Sequence, residues 1–235
     1  MDGSESTSSG ASGASGASGA TRYHRELASR NREVLLTAAR RLFLDLGYDG
    51  TSLAKVAAEA GVSRATLFKQ FPTKAELFSA MVTTSWATTD DQAPPVPGDP
   101  LTALSTLGTR YAELLTRPGM ADLFRIVIAE LPRFPELGRT HFDLGKMPFF
   151  DSVRDHLLAE QHAGTLQFED ADLVTTQFLG MIANYVLWPR MLLLDWDPDA
   201  ASVAHAVEEA ALTVHARHSV SAPAVGSGRR DTGGR

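Results

Sequence analysis

The chain has 235 residues, of which 43% are hydrophobic, and it contains no cysteine. This length and composition fit one large globular domain or two small ones, and the lack of cysteine excludes disulfides, thiolate nucleophiles and cysteine-based metal sites. The formal net charge of −6 argues at first against a nucleic-acid partner.

The charge is unevenly distributed along the chain. The segment from Arg22 to Lys74 holds ten basic and five acidic side chains, a net charge of +5, whereas the residues after Lys74 carry −9. A basic N-terminal third on an acidic body favours one surface for phosphates and another for a different ligand. The alternative is that an asymmetry of this size arises by chance.

Both ends of the chain have a low-complexity composition. Residues 1–21 repeat Ala-Ser-Gly, and residues 221–235 are rich in Gly, Ser and Arg. Neither segment can bury a core, so both are predicted to be disordered tails. No apolar run reaches the roughly 18 residues that span a membrane, and the N-terminus lacks the apolar centre of a signal peptide. We therefore expect a cytoplasmic protein without a membrane partner.

The first helices follow from apolar spacing and caps. Apolar residues recur every three or four positions from Leu35 to Leu46, which predicts a helix ended by Gly47. Thr51 or Ser52 then caps a second helix. A third helix starts at about residue 63 and ends before a proline at 72. A fourth begins with the capping-box pattern of residues 73–76 and runs to about residue 89.

Dense prolines between residues 90 and 100 predict a loop into a second, larger helical domain. Helices are predicted there over 100–116, 119–131, 134–144, 147–163, 169–189 and 199–218. No segment shows the sustained alternation of a strand. The predicted fold class is all-α, with a helix-turn-helix domain at residues 22–82 and a C-terminal domain at residues 83–220.

The segment Thr51–Lys74 has the pattern of a helix-turn-helix, because two short helices flank a tight turn at residues 60–62. The second helix of such a pair can lie in the major groove of DNA. Leu67 and Phe71 are expected to dock this helix, which leaves its other side chains for DNA. The candidate DNA-contact residues are Thr51, Ser52, Ser63, Arg64, Ala65, Thr66, Phe68, Lys69, Gln70 and Lys74.

Three of these side chains have the chemistry of base recognition. Arg64 can make a bidentate contact with guanine, Gln70 can read adenine, and Thr66 can contact a thymine methyl or a phosphate. Lys69 and Lys74 are better suited to phosphates, which position a protein without specifying sequence. The free N–H groups at the start of the second helix can hold a further phosphate.

An ordered set of short motifs over about residues 30–82 resembles the N-terminal domain of the TetR family of bacterial one-component repressors. The motifs are Leu42-Phe43, Gly47-Tyr48, Thr51-Ser52, Val56-Ala57, Ala60-Gly61-Val62-Ser63, Thr66-Leu67-Phe68, Phe71-Pro72 and Lys74-Ala75-Glu76-Leu77. The resemblance implies a homodimer on a palindromic DNA operator and a C-terminal domain whose ligand releases the DNA. Residues 125–138 also resemble the AefR-like subgroup of this family.

One residue departs from the family pattern. The family usually has Tyr where this chain has Phe68, and that hydroxyl normally meets a phosphate. The resemblance therefore implies that this contact is missing here and that DNA affinity is slightly lower.

The second domain is rich in large apolar side chains, which suits a pocket for a small apolar or aromatic effector and equally suits an ordinary core. Gln177 and Asn184 lie seven residues apart in an apolar helix. A buried amide needs a partner, which can be a ligand, a neighbouring helix or a dimer mate. The candidate ligand residues are Trp86, Phe124, Phe142, Met147, Phe149, Phe150, Gln177, Phe178, Met181, Asn184, Tyr185 and Trp188.

The last two predicted helices are the candidates for dimerisation. The final one carries small and apolar residues on one stripe, from Val203 to Val214, which allows close helix approach in a four-helix dimer core. A two-fold dimer would place the two recognition helices about 34–36 Å apart, one turn of DNA.

Two other classes of protein remain as alternatives. An enzyme is disfavoured because the chain has no phosphate-binding glycine loop, nucleophile elbow or HExxH motif, and no cofactor is predicted. His215 and His218 can bind a metal on one helical face or remain solvated. In the third reading, the second domain senses a partner protein, which an exposed apolar patch would favour over a cavity.

Overall fold

The computed structural model describes residues 14–88, 94–193 and 195–220, with the side chains of residues 14–21, 24 and 25 left aside. Across these ranges the regular structure is helical, which confirms the all-α prediction, and one isolated bridge joins Leu166 to Ser219. None of the described helices is long and apolar enough to cross a membrane. Residues 1–13 of the predicted tail at 1–21, the whole predicted tail at 221–235, and residues 89–93 of the predicted loop lie outside the described residues.

The helices carry the following bounds in chain order. They are α1 (Ala14–Gly50), α2 (Leu53–Glu59), α3 (Arg64–Gln70), α4 (Lys74–Trp86), α5 (Pro100–Thr116), α6 (Met120–Glu130), α7 (Pro135–His141), a π-helical turn (Phe142–Lys146), α8 (Met147–His162), α9 (Ala171–Val186), α10 (Trp188–Leu192) and α11 (Ala200–His218).

Helix α4 ends at Trp86, about three residues before its predicted end, and three other elements differ more from the predicted bounds. Helix α1 begins at Ala14, inside the segment whose composition predicts disorder. The helix predicted over 134–144 stops at His141 and continues as the π-helical turn. The helix predicted over 169–189 breaks at Leu187, because Pro189 lacks the N–H that a continuing helix requires and instead occupies the first turn of α10.

The chain divides into two compact units, and the division is not contiguous in sequence. Among the described residues, the first unit comprises those up to Thr84 together with Asp122–His141, and the second comprises those of Ser85–Ala121 and those from Phe142 onwards. The segment from α6 to α7 therefore belongs with the first four helices.

The first unit has an apolar core built mainly by α1, α3 and α4. Leu35, Ala39 and Phe43 of α1 are buried at the predicted spacing, and they are joined by Leu67 of α3 and Phe78 of α4. Leu46 is an exception to the predicted stripe, with 47% of its surface exposed. The helical stripe ends there because Gly47 has φ 73 and ψ 170, backbone geometry that is essentially confined to glycine.

The second unit is centred on α5, which packs against both α9 and α11. Val207, Ala210, Ala211 and Val214 of α11 are buried in this core. These four side chains of the predicted stripe therefore face the chain's own core rather than a partner, whereas Val203 and Ala206 are half-buried, and a part of α11 in dimerisation stays a prediction. An apolar helical stripe has the same spacing whether it meets its own chain or a partner.

Gly108 marks the tightest helix contact of the second unit. A Cβ atom at this position would lie 2.8 Å from Cγ1 of Val207 and 3.0 Å from Cδ1 of Ile182. We expect Gly108→Ala to lower the free energy of unfolding by about 1–3 kcal/mol, because overpacking outweighs the gain in helix propensity. Urea denaturation at fixed protein concentration measures this change. Thr109→Ala, at the neighbouring exposed position, should stay within about 0.5 kcal/mol of the parent, and an equally small effect of Gly108→Ala would contradict this packing.

Candidate nucleic-acid interface

Helices α2 and α3 form the predicted helix-turn-helix. Ser52 caps α2 by accepting a hydrogen bond from the Lys55 amide at 3.3 Å, and Ser63 caps α3 by accepting one from the Thr66 amide at 3.0 Å. Gly61, with φ 66, lies in the turn between them. A helix as short as α3 is unstable alone, and the buried Leu67 holds it against its unit.

One face of α3 is exposed. Arg64, Ala65, Phe68 and Lys69 all point outward, and 48% of the Phe68 surface is exposed. Neither Arg64 nor Lys69 forms an ion pair with a residue that the structure describes. The outer face of α3 therefore presents the two cations Arg64 and Lys69 and the ring of Phe68, while the buried Leu67 holds the opposite face against the unit.

Two polar candidates on α3 are partly engaged within the protein. The Thr66 hydroxyl lies 2.8 Å from Ser63 Oγ, so this side chain supports the helix cap. The Gln70 amide Nε2 donates to the Ala28 carbonyl of α1 at 3.2 Å. Both side chains are half-buried, and their contacts with bases stay predictions.

The candidates before α2 and α4 are more enclosed. The Thr51 side chain is buried, and its hydroxyl donates to the Leu42 and Gly47 carbonyls, each at 2.9 Å. Ser52 rather than Thr51 is thus the cap. Lys74 Nζ donates to the Tyr48 carbonyl at 2.5 Å and the Thr51 carbonyl at 3.1 Å, which leaves one of its three N–H groups for a phosphate.

The environment of Lys74 is partly desolvated. Burial lowers the pKa of its ammonium, while the negative charges of Asp49 and Glu130 act in the opposite direction. Its ammonium also lies 4.3 Å from the centre of the Tyr48 ring. Lys74 therefore contributes to the internal structure of the first unit, in addition to any role at its surface.

The candidate ligand residues fall into three groups. Trp86, Phe149, Phe150 and Phe178 are buried in the second unit, where Lys146 lies 4.9 Å from the Phe142 ring centre and 5.8 Å from that of Phe150. Met147 and Tyr185 are half-buried in the same unit. Phe124 belongs to the first unit, where its ring packs edge-on against His141 with centroids 4.5 Å apart.

The third group lies on the outer face of α9 and at the start of α10. Gln177, Met181, Asn184 and Trp188 are all exposed, so the two amides are not buried within the chain itself, and their burial by a ligand or a dimer mate stays a prediction. They follow one another at spacings of three and four residues and share a helical stripe with the exposed Leu173. Helix α9 carries apolar side chains on both its buried and its exposed face, so its sequence pattern did not indicate which face meets the core.

Sequence reasoning missed two buried polar features of the second unit. His156 Nε2 and Glu160 Oε1 lie 3.2 Å apart, one helical turn from each other on the apolar face of α8. Their spacing of four residues among buried positions was a usable signal. Tyr111 stacks on Phe149, and burial raises the pKa of its hydroxyl to about 12. No group of three or more potential metal ligands occurs among the described residues.

Two protein families match the chain. Residues 35–81 match the family described as bacterial regulatory proteins of the tetR family, and residues 102–219 match the AefR-like transcriptional repressor C-terminal domain. Both are families of transcriptional regulators and not of enzymes.

Individual relatives agree with this assignment. The chain is 28% identical over 175 residues to the HTH-type transcriptional regulator YezE of Bacillus subtilis (strain 168), which covers 70% of this chain and 86% of YezE. The flavonoid-responsive regulator FrrA has a similar structure, with a TM-score of 0.64 and 25% identity over 83% of this chain and 100% of FrrA.

A TetR family regulator from Pseudomonas syringae pv. tomato str. DC3000 shares the fold, with a TM-score of 0.68 and 24% identity over 82% of this chain and 98% of that one. The match to the AefR-like domain alone spans half of the sequence. The chain therefore belongs to the TetR family of transcriptional regulators, with a helix-turn-helix DNA-binding domain and an AefR-like C-terminal domain.

Proposed function

We propose that this regulator is a repressor that binds a palindromic DNA operator as a homodimer in the cytoplasm and is released by a small apolar or aromatic molecule. The exposed face of α3 is the observation that carries the DNA-binding part, because Arg64 and Lys69 are presented on an anchored helix without an ion-pair partner among the described residues. The repressor assignment is supported by the description of the matched AefR-like domain.

The dimer proposal is supported by the outer face of α9. Leu173 and Trp188 each expose about half of their surface, and Met181 exposes 36%. At Gly180 no atom lies within 4 Å of the position that a Cβ would take, so a second helix can approach the backbone closely there. Exposed apolar side chains in a row, here interspersed with the amides of Gln177 and Asn184, are typical of a protein interface, and a two-fold dimer uses the same patch on both copies.

The effector proposal is supported by the aromatic interior of the second unit and by one relative. FrrA is described as flavonoid-responsive, and a flavonoid is a planar aromatic molecule. The rings of Tyr111 and Phe149 stack there with centroids 5.3 Å apart, so an aromatic molecule would meet aromatic side chains in this interior. A second candidate function, sensing of a partner protein, is favoured by the exposed α9 stripe if that stripe does not close a homodimer.

The operator proposal is testable by selection from random DNA. Full-length protein is incubated with a randomised duplex library, and bound duplexes are amplified and sequenced. We expect enrichment of an inverted repeat with half-sites about one helical turn apart. Recovery of unrelated sequences after repeated rounds would overturn the operator proposal, and a direct rather than inverted repeat would overturn the two-fold arrangement.

Phe68 provides a gain-of-affinity test of the interface. We expect Phe68→Tyr to raise affinity for the enriched duplex by about 3- to 10-fold, because the added hydroxyl supplies one hydrogen bond to a phosphate, worth about 1 kcal/mol. The gain should be similar for a scrambled duplex, since phosphate contacts carry no sequence information. Fluorescence anisotropy at a fixed salt concentration measures the affinity of the parent and of Phe68→Tyr for the enriched and for the scrambled duplex. A loss of affinity would show that the exposed ring does not face the DNA backbone.

A further inference from the structure

A turn in the first unit is held by residues that are far away in sequence. We call residues 47–50, the end of α1 from its non-helical Gly47 onwards, the α1–α2 turn, and residues 130–134, which begin at the last residue of α6, the α6 corner. Because Gly47 leaves helical geometry, the Tyr48 amide needs a partner outside the helix. The Glu130 carboxylate accepts this N–H at 2.9 Å, across 82 residues of sequence.

The Glu130 carboxylate can approach the backbone of the α1–α2 turn because residue 47 is a glycine. A Cβ atom at Gly47 would collide with Oε1 of Glu130, and the φ of 73 is rarely adopted by other residues. Glycine at this position therefore allows both the positive φ of the turn and the close approach of the Glu130 carboxylate.

Two further contacts join the same pair of elements. Arg133 forms an ion pair with Asp49 at 2.7 Å, and the rings of Phe134 and Tyr48 meet edge-on with centroids 5.1 Å apart. The α6 corner is itself closed, because the Glu130 carbonyl accepts the backbone amides of Arg133 and Phe134 at 3.0 and 2.9 Å. A preformed corner thus contacts the turn through a hydrogen bond, an ion pair and an aromatic pair.

The α1–α2 turn leads directly into the helix-turn-helix. Its carbonyl at Tyr48 accepts Lys74 Nζ at the start of α4, and the next residues, Thr51 and Ser52, anchor and cap α2. A shift of the turn therefore moves the start of α2 and the start of α4 relative to α1. Since α3 packs against α2 and its Gln70 donates to the Ala28 carbonyl of α1, its outward face moves with α2.

We propose that Glu130 is a positioning residue for DNA binding, which holds the α1–α2 turn in the arrangement that presents α3 to the major groove. This inference rests on the proposed operator binding and adds a determinant that lies outside residues 35–81, the part of the chain that matches the family's DNA-binding domain. It assigns to the α6 corner, within the part that matches the C-terminal domain, a direct role in DNA affinity.

The Glu130 carboxylate can act on DNA affinity by positioning the turn or by its charge alone, and these two roles predict opposite effects of its removal. A carboxylate near a phosphate-binding surface repels DNA, so its removal would raise affinity if charge alone mattered. A positioning role predicts the opposite. We expect Glu130→Ala to bind the enriched duplex about 10-fold more weakly than the parent protein. Glu130→Gln keeps an acceptor oxygen for the Tyr48 amide and should bind within about 3-fold of the parent.

The experiment measures affinity by fluorescence anisotropy with full-length variants, at a temperature where circular dichroism shows each variant to be folded. Glu136→Ala is the matched control, because this exposed acid acts on Tyr48 through its charge and should leave affinity equal or higher. Amide exchange at Tyr48 should quicken in Glu130→Ala and not in Glu136→Ala.

Three results would overturn the inference. They are Glu130→Ala affinity equal to or above the parent, a loss in Glu130→Gln as large as that in Glu130→Ala, and unchanged exchange at Tyr48. If the parent protein itself binds no duplex, the proposed function fails, and the exchange measurement still decides whether Glu130 holds the turn.

Discussion

Simultaneous replacement of Arg64 and Thr66 by alanine is expected to weaken binding to the enriched duplex by about 100-fold or more, with the helical circular dichroism spectrum unchanged. A bidentate arginine–guanine contact contributes about 1–3 kcal/mol of discrimination. Arg64 is exposed at the N-terminus of α3 and has no described ion pair to break. Its loss therefore removes a base contact without leaving a buried charge behind.

The loss of DNA affinity that Thr66→Ala contributes to the double variant has a different physical cause. Its hydroxyl lies 2.8 Å from the Ser63 hydroxyl that caps α3, so alanine removes both a possible DNA contact and a neighbour of the cap. The cap bond from the Thr66 amide remains, which is why α3 should persist. Single variants separate the two contributions, and Arg64→Ala should carry the larger loss.

Lys69→Ala is the matched control for charge. It removes one cation from the same exposed face and should weaken binding to all duplexes alike, with the slope of log affinity against log salt reduced by about one. Arg64→Ala should in addition reduce the preference for the enriched sequence. Unchanged affinity and preference in the double variant would remove α3 from the interface.

Met181→Glu is expected to convert the protein from dimers to monomers at micromolar concentration. Met181 lies near the middle of the exposed α9 stripe, next to Gly180. In an isologous interface the substitution places two carboxylates against apolar surface, where unpaired charges are strongly unfavourable. Sedimentation velocity measures the change directly.

The same variant should lose operator affinity by about 100-fold or more, since a monomer engages one half-site where a dimer engages two. Val96→Glu is the matched control, because it also places a glutamate at an exposed apolar position, 84% exposed and outside α9. A dimeric Met181→Glu protein, or a parent protein that is monomeric at micromolar concentration, would contradict the α9 interface. In that case the stripe would be free for a partner protein.

The local parts of the interface were predictable from the sequence. Ser52 and Ser63 cap their helices, Gly61 turns the chain and Leu67 is buried, because each of these roles depends on a few neighbouring residues. The docking of Phe71, which is also buried, follows from the same short pattern.

The parts that depend on distant contacts could not be predicted. No local pattern shows that Glu130 meets Tyr48, since the two residues are 82 positions apart and each is ordinary in its own segment. The exposure of Gln177 and Asn184 was missed because α9 is apolar on two sides. The stripe of α11 was assigned to a partner, although α5 covers it, because helical spacing does not identify what a face meets.

The exposed face of α3 is expected to read a specific DNA sequence. The most direct test of this expectation is the ratio of dissociation constants for the enriched duplex and for a scrambled duplex of the same length and composition, measured at one physiological salt concentration. Specific binders discriminate by about 10³-fold or more, and we expect a ratio of that order that falls sharply in Arg64→Ala. Equal dissociation constants for the two duplexes would contradict this expectation.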